Sequence, residues 1–361
     1  MQHYSLAVIP GDGIGPEVMS EAVNILRATE QLHGGITFDI EYFDWNCDYY
    51  LKHGKMMPDD GLEILQGFDV ILFGAVGAAS VPDHISVWEL ILPIRREFEQ
   101  YVNMRPIKLL KGLESPLKNK THADLDFVVI RENTEGEYSN IGGRLYKGSP
   151  HEMAIQNNVF TRFGTERIMK FAFEYACCHQ LENVTAATKS NAMNFSMTFW
   201  DEIFKEVSSN YPDIHTNLYH IDALAAYFVT SPEKFDVVVA SNLFGDILTD
   251  LGAALVGGLG FGPSGNINPE RKYPSMFEAI HGSAPDIAGK GIANPIGQIW
   301  SAAMMLDHLG HNDLYHGIVH SIEEVLVEGK VRTPDLGGHS TTTELGAAIT
   351  EKLKTIQIKG S

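Results

Sequence analysis

The chain has 361 residues, 44% of them hydrophobic, and carries a formal charge of −19. At roughly 150 residues per domain, that length makes about two domains with a large core. The acidic balance disfavours nucleic acids and anionic membrane surfaces, which select basic patches; a small anionic substrate stays open, because local arginines or a bound cation can override the global field.

In chain order, Tyr4 to Pro10 reads as a first strand. Its apolar run stops at Pro10-Gly11 with no basic segment before it, which is not the pattern of a secretory signal. GDGIGPEV follows and opens an amphipathic helix through Ile25-Leu26. Gly11, Gly13 and Gly15 invite a dinucleotide reading, but GxGxxG needs glycine where Pro16 stands. A glycine turn into a helix with proline in its first turn accounts for the same residues.

Phe68 to Val76 is a second buried strand, and two strand–loop–helix units in the first hundred residues indicate an α/β fold. Residues 78–89 read as a polar loop entering a helix with Arg95 and Arg96, and Arg105 follows in NMRP. DFVVIRENTEGEY is a strand that delivers Arg131, Glu132, Glu135 and Tyr138 to its end. Arg95, Arg105 and Arg131 are candidates to grip carboxylates in bidentate forks, with ordinary surface arginines as the alternative.

Residues 139–162 alternate short apolar positions with glycines and read as a β-arm. A helix over Thr165 to Cys178 and a strand over 184–191 follow, the latter ending in Lys189. A functional lysine there needs desolvation or a nearby cation to lower its pKa; a solvated lysine is the alternative. The next helix runs from Met197 to Val207, and Asp222 lies at the start of another, where it either caps or binds. The three cysteines, Cys47, Cys177 and Cys178, show no CxxC or metal-ligand spacing, which fits a reduced, cytoplasmic setting. No apolar run approaches the roughly 18 residues of a membrane span.

The stretch FDVVVASNLFGDILTDL, 235–251, combines a buried strand, a turn through Ser241, Asn242 and Gly245, and the opening of a helix. Asp246 and Asp250 are four apart and leave one face of that helix. They sit beyond the carboxyl end of a strand, where open α/β sheets place ligands. Two carboxylates there suit Mg²⁺ or Mn²⁺, or form a solvated acidic helix start. Glycine-rich LVGGLGFGPSGNINP and MFEAIHGSAPDIAGKGIANP follow, and the second lets backbone approach a ligand closely. The last stretch is helical, with apolar periodicity over 299–309 and 318–326.

Taken together and in this order, GDGIGPEV, NMRP, RENTEGEYS, TKSN, the Asp222 helix, SNLFGDILTD and HGSAPDIAGKGIANP resemble the metal-dependent β-decarboxylating dehydrogenases. That family includes isocitrate, isopropylmalate, tartrate and D-malate dehydrogenases. WNCDYYLKHGKMMPDD, VPDHISVW and RREFEQYVNMRP are similar to the tartrate/D-malate branch. The resemblance implies two α/β domains with a central mixed sheet rather than a Rossmann fold. Residues 1–100 and 258–361 would form the larger one, and 101–257 the smaller one with the dimer interface and an interlocking arm at 139–162.

It further implies a site lying between the domains and shared across a homodimer, with Asp246 and Asp250 holding the metal and Asp222 contributed by the other subunit. Lys189 matches the partner-subunit lysine beside the substrate hydroxyl, where it acts as the base, and Tyr138 the acid that protonates the enol. Arg95, Arg105 and Arg131 match the substrate-carboxylate clamp. His281, Gly282, Ser283, Ala284, Pro285, Asp286, Ile287 and Asn294 match the adenosine loop. NADP enzymes of the family tend to carry a lysine-tyrosine pair where Asp286-Ile287 stand here, and a carboxylate repels a 2′-phosphate, so the implied cofactor is NAD. Mg²⁺ or Mn²⁺ is the implied metal, and K⁺ is an additional candidate.

The implied reaction is oxidative decarboxylation of a (2R)-2-hydroxy dicarboxylate, D-malate or a tartrate. Isopropylmalate enzymes carry a glutamate seven residues before the matching arginine, where this chain has Trp88. A bulky Trp88 shrinks the side-chain pocket, or else packs a domain seam. The rival readings are a 3-isopropylmalate dehydrogenase of leucine biosynthesis and, from another class, a non-catalytic regulatory subunit.

Overall fold

The computed structural model describes residues 1–356. Two compact units divide the chain: Met1–Gln100, Lys108–His122 and Ala253 onward form the first, and Tyr101–Ile107 with Ala123–Gly252 the second.

The first unit is built on five strands in the order Ile36–Tyr42, Gln2–Gly11, Val70–Ala75, Ser275–Ala279, Pro263–Ile267. All neighbours are parallel except the last pair, which is antiparallel in the register Pro263↔Ala279 to Asn266↔Met276. Val70–Ala75 is buried at every position, as a parallel strand covered on both faces must be. The helix Ile296–His308 is buried from Ile296 through Leu306, its polar Gln298 and Ser301 hydrogen-bonded inside; it is a core helix. Helices Gly15–His33, Asn312–Glu328 and Thr342–Thr355 complete the layer, and the last is opened by a Thr341–Glu344 capping box.

The second unit orders its strands Val102–Lys108, Asp126–Glu132, Val237–Ala240, Asn183–Thr188, His215–His220. The last four run parallel. Helices Arg162–Cys178 and Ser196–Ser208 bury one apolar stripe each, Ile168, Ala172 and Phe173 on the first, Trp200, Ile203 and Phe204 on the second. Strands Gly136–Leu145 and Met153–Val159 form a separate antiparallel ribbon. Ile141, Leu145, Tyr146, Met153 and Ile155 of this arm are exposed. A two-stranded ribbon is marginal by itself, and an apolar surface of this kind marks an interaction site.

Several segments differ from the sequence reading. Residues 78–89 are not a loop throughout: the chain is helical from Asp83, passes through one wide π-turn at Val87–Ile91 and continues as Leu92–Glu97. That turn precedes Pro93, which has no N–H to bond back and so cannot sustain a regular helix there. Val102–Lys108, Pro263–Ile267 and Ser275–Ala279 are strands within stretches where proline and glycine obscured the pattern. Gly245 lies inside the helix Asn242–Leu255 rather than in a turn before it.

Candidate active site

The buried strand Val237–Ala240 feeds the helix Asn242–Leu255, which starts three residues before Gly245. Glu137 holds that helix start from the neighbouring ribbon. Its carboxylate accepts Ser241 Oγ–H at 2.8 Å and Leu243 N–H at 3.1 Å. An anion there satisfies an orphan amide and meets the positive end of the helix dipole. Gly245 is required by packing: a Cβ would lie 2.6 Å from both Cβ and Cγ of Arg131. The glycine lets the arginine lie flat across the helix.

Arg131, only 2% exposed, gives Nη1 to Asp246 Oδ1 at 2.5 Å. Its Nε and Nη2 donate to Asn242 Oδ1 at 3.2 and 2.7 Å. Arg105 Nη1 donates to Thr249 Oγ1 at 2.6 Å and lies 3.6 Å from Asp246 Oδ1 and 3.9 Å from Asp250 Oδ1. Tyr138 donates its hydroxyl to Asp246 Oδ2 at 3.0 Å, and its ring lies 5.6 Å from the Arg131 guanidinium carbon. The second unit therefore gathers five of the residues singled out in the sequence: Arg105, Arg131, Tyr138, Asp246 and Asp250.

Arg131 and Asp246 form the tight pair of this cluster, and deleting either leaves the other's charge unpaired in a partly buried setting. Burial, followed by the Asp246 charge, raises the Tyr138 phenol against the pull of Arg131, so it stays a proton donor at neutral pH. Burial also raises the Asp250 carboxyl; Arg105 opposes this and Asp246 adds to it. Asp250 has no cation nearer than Arg105 at 3.9 Å among the described residues, beyond hydrogen-bond length. Its oxygens thus stay clear of a close ion pair, and Asp246, four residues before it, is bonded to Arg131 and Tyr138; the two carboxylates would offer a hard divalent ion oxygen ligands only.

Lys189 stands just past the end of strand Asn183–Thr188. Its Nζ donates to Asp222 Oδ1 at 2.7 Å, and Asp222 sits in the first turn of helix Ile221–Thr230. That hydrogen bond holds the Asp222 carboxyl below its ordinary range. Lys189 and Asp222 pair with each other, not with Asp246 or Asp250, among the described residues.

In the first unit, buried Arg95 donates from Nη2 to Glu278 Oε1 at 2.6 Å, and the same oxygen accepts Asn266 Nδ2 at 2.7 Å. Trp88 lies on the π-turn, half-buried, 4.9 Å beneath the Arg96 guanidinium.

The loop from His281 to Asn294 is tied at several points within that unit. Ser283 O accepts Ile14 N–H at 2.9 Å, and a Cβ on Gly13 would lie 1.9 Å from it. Gly13 is thus a seat for the loop. Gly291 O accepts Thr342 N–H at 2.8 Å, and Ala293 O accepts Thr342 Oγ1–H at 2.7 Å. Asn294 spends its amide on the frame, Nδ2 donating to Asp335 at 2.9 Å and Oδ1 accepting Ile296 N–H at 3.0 Å. Ile287 and Ala284 pack against Ile14, Val18 and Ala293. These side chains anchor the loop, while Gly282, Pro285 and Asp286 remain exposed on it.

Ala284 holds the left-handed φ of +41°, and His281 Nε2 is buried without a hydrogen-bond partner among the described residues. A strained backbone and an unspent donor or acceptor suit a loop that receives a ligand. Burial lowers the His281 pKa, keeping the ring neutral.

Sequence reasoning missed Glu137 and Asp12, and read Asn242 as a turn residue rather than as the acceptor for Arg131. Asp12 accepts the N–H of Cys47 at 3.1 Å and of Gly77 at 3.0 Å, fixing the turn between the first strand and helix. An acid between two turn glycines was the available signal for it.

Residues 5–349 match the family model described as isocitrate/isopropylmalate dehydrogenase. A probable tartrate dehydrogenase/decarboxylase of Bacillus subtilis is 55% identical over 98% of this chain and 99% of its own length. The D-malate dehydrogenase (decarboxylating) of Escherichia coli is 52% identical over 97% and 98%. Among solved structures, isocitrate dehydrogenase from Methylococcus capsulatus superposes with a TM-score of 0.87 at 34% identity, covering 98% of this chain and all of that one. No helix of the described residues is long and apolar enough to cross a membrane.

Proposed function

Because the chain belongs to the isocitrate/isopropylmalate dehydrogenase family of decarboxylating dehydrogenases, we propose that it oxidises and decarboxylates D-malate to pyruvate and CO₂ with NAD⁺ and Mg²⁺ or Mn²⁺, and acts on tartrate by related chemistry. The observation that carries this reading is the network in which Asp246 binds Arg131 and Tyr138 while Asp250 stands four residues on.

Asp246 and Asp250 would hold the cation, with Asp222 of a second copy as a further ligand. When bound, the cation polarises the substrate's C2 hydroxyl and stabilises the enolate charge left by CO₂ loss. Arg105 and Arg131 are the substrate-carboxylate grips of this unit. Arg131 reaches its place because Gly245 has no side chain. Lys189 of that second copy would take the C2 hydroxyl proton, directly or through water, once Asp222 turns to the cation and the amine has given its own proton to solvent, as the C2 hydride passes to NAD⁺. Tyr138 returns a proton to the enol, and its raised pKa keeps the phenol protonated for that step. Asp286 would accept the adenosine ribose hydroxyls and repel a 2′-phosphate. Arg95 is proposed for the substrate on its motif position; Trp88 is proposed to limit the side chain accepted at C3.

The exposed apolar arm and the exposed Val229 and Ile247 support a homodimer as the working form, and a cytoplasmic setting fits the free cysteines.

The test is NAD⁺ reduction with Mn²⁺ on D-malate, the tartrates and 3-isopropylmalate in parallel, following CO₂. Turnover of D-malate with CO₂, abolished by chelator and far weaker with NADP⁺, is expected. Preference for 3-isopropylmalate would replace the substrate, comparable efficiency with NADP⁺ would remove the role of Asp286, and no turnover of any substrate would leave a non-catalytic subunit.

A further inference from the structure

The first unit holds a second group of ligand-type side chains that the proposed reaction does not use. His33 is the last residue of helix Gly15–His33; His311 precedes helix Asn312–Glu328, whose first turn carries Asp313. One ligand atom from each of the three lies within 4.8 Å of the others.

Two of the three, His33 and Asp313, keep buried polar atoms unspent. Both ring nitrogens of His33 are buried and have no hydrogen-bond partner among the described residues, and neither has Asp313 Oδ2. His33 Nε2 and Asp313 Oδ2 stand 4.0 Å apart, too far for a hydrogen bond. The His33 ring is pressed against the following turn, where a Cβ on Gly35 would lie 2.8 Å from Nδ1. Glycine there admits the ring and leaves Nε2 as the nitrogen facing Asp313.

His311 already has an outer partner. Its Nε2 lies 3.0 Å from the Tyr4 hydroxyl, and Tyr4 can pass its own hydrogen toward Leu309 O at 3.5 Å. If Nε2 carries the hydrogen, Nδ1 keeps a lone pair. Metal-binding histidines are oriented in this way by an outer acceptor on the other ring nitrogen.

Unpartnered buried polar atoms are costly, and a cation shared by three donors offsets that cost at His33 Nε2 and Asp313 Oδ2. We infer that His33, His311 and Asp313 form a binding site for a borderline transition-metal ion, tying the end of helix Gly15–His33 to the start of helix Asn312–Glu328. Two imidazoles and one carboxylate select Zn²⁺, Co²⁺ or Ni²⁺ over Mg²⁺ and Mn²⁺, so the site is distinct in chemistry from the all-oxygen pair Asp246 and Asp250. Bond lengths of about 2.0–2.2 Å require the three donors to draw closer, and Asp313, the more exposed partner of the 4.0 Å pair, has room to move. Water fills the remaining coordination position.

Equilibrium dialysis of Zn²⁺ tests this on the intact protein, with its exposed cysteines alkylated and excess Mg²⁺ present to fill the all-oxygen site. The expected result is that His33→Gln and Asp313→Asn each bind one equivalent fewer than the unsubstituted chain. With Co²⁺ as probe, the visible d–d band of a low-coordinate site should appear in the unsubstituted chain and be absent from both variants. Asp313→Asn carries the test if His33→Gln fails to fold. Equal zinc stoichiometry and an unchanged cobalt spectrum would overturn the site, leaving only a histidine–aspartate contact.

Discussion

Asp246 and Asp222 are both aspartates at the opening of a helix that follows a strand, yet their surroundings differ. Asp246 has a 36% exposed side chain and is gripped by Arg131, approached by Arg105 and bonded by Tyr138. Asp222 is 69% exposed and meets one lysine. The first set is organised by burial inside one chain, its geometry fixed by Gly245, Asn242 and Glu137. The second is a pair open to solvent on its carboxylate side, and such a pair contributes little to folding. Its arrangement therefore finds its reason in what approaches that surface, which on the present reading is the Asp246 set of a second copy.

Substitutions should separate the two sets, the largest effect coming from the metal pair. Asp250→Asn is expected to lower kcat about 10³-fold or more, the scale of removing a principal electrostatic stabiliser, while its melting temperature changes little. Retained turnover at saturating Mn²⁺ would break the metal assignment. Lys189→Ala should lose roughly 10²–10³-fold, within the range for deleting a general base. Because the carboxylate it pairs with is exposed, stability should hold; full activity would remove it from the chemistry.

Gly245→Ala probes the buried set through packing alone. It should destabilise the fold by about 1–3 kcal/mol, the cost of overpacking against Arg131, measurable by denaturant titration. No change would mean that the arginine yields easily. Smallest is Trp88→Glu, expected to shift the D-malate/3-isopropylmalate ratio by about tenfold, the scale set by small differences in pocket size. An unchanged ratio would reduce Trp88 to packing beneath Arg96.

The same contrast explains what could be read from the chain alone. Val237–Val239 and Val70–Phe73 announce buried strands because both faces are covered and the apolar run is continuous; the second strand is Val70–Ala75, shorter than the 68–76 read from the sequence. Asp246 and Asp250 announce one face because their spacing is helical. Glu137 was not legible as the anchor of Ser241 and Leu243, since a contact across 104 residues leaves no local pattern. Nor was it legible that Gly245 lies within the helix: its role depends on where the Arg131 side chain passes. Pro263–Ile267 and Ser275–Ala279 hid among prolines and glycines. Asn294 and Ile287 carry the motif of a cofactor loop, but the structure turns their side chains to frame and packing, leaving Asp286 exposed.

The claim that one catalytic site takes Asp246 and Asp250 from one chain and Lys189 and Asp222 from another can be tested by mixing two dead variants. Asp250→Asn and Lys189→Ala, carrying different affinity tags, are co-expressed, and the doubly tagged dimer is isolated and assayed with D-malate, NAD⁺ and Mn²⁺. A shared site predicts that activity returns, because one of the two sites in the mixed dimer then has every residue intact. A mixed dimer as inactive as its parents would place all of these residues in a site within a single chain and contradict the account.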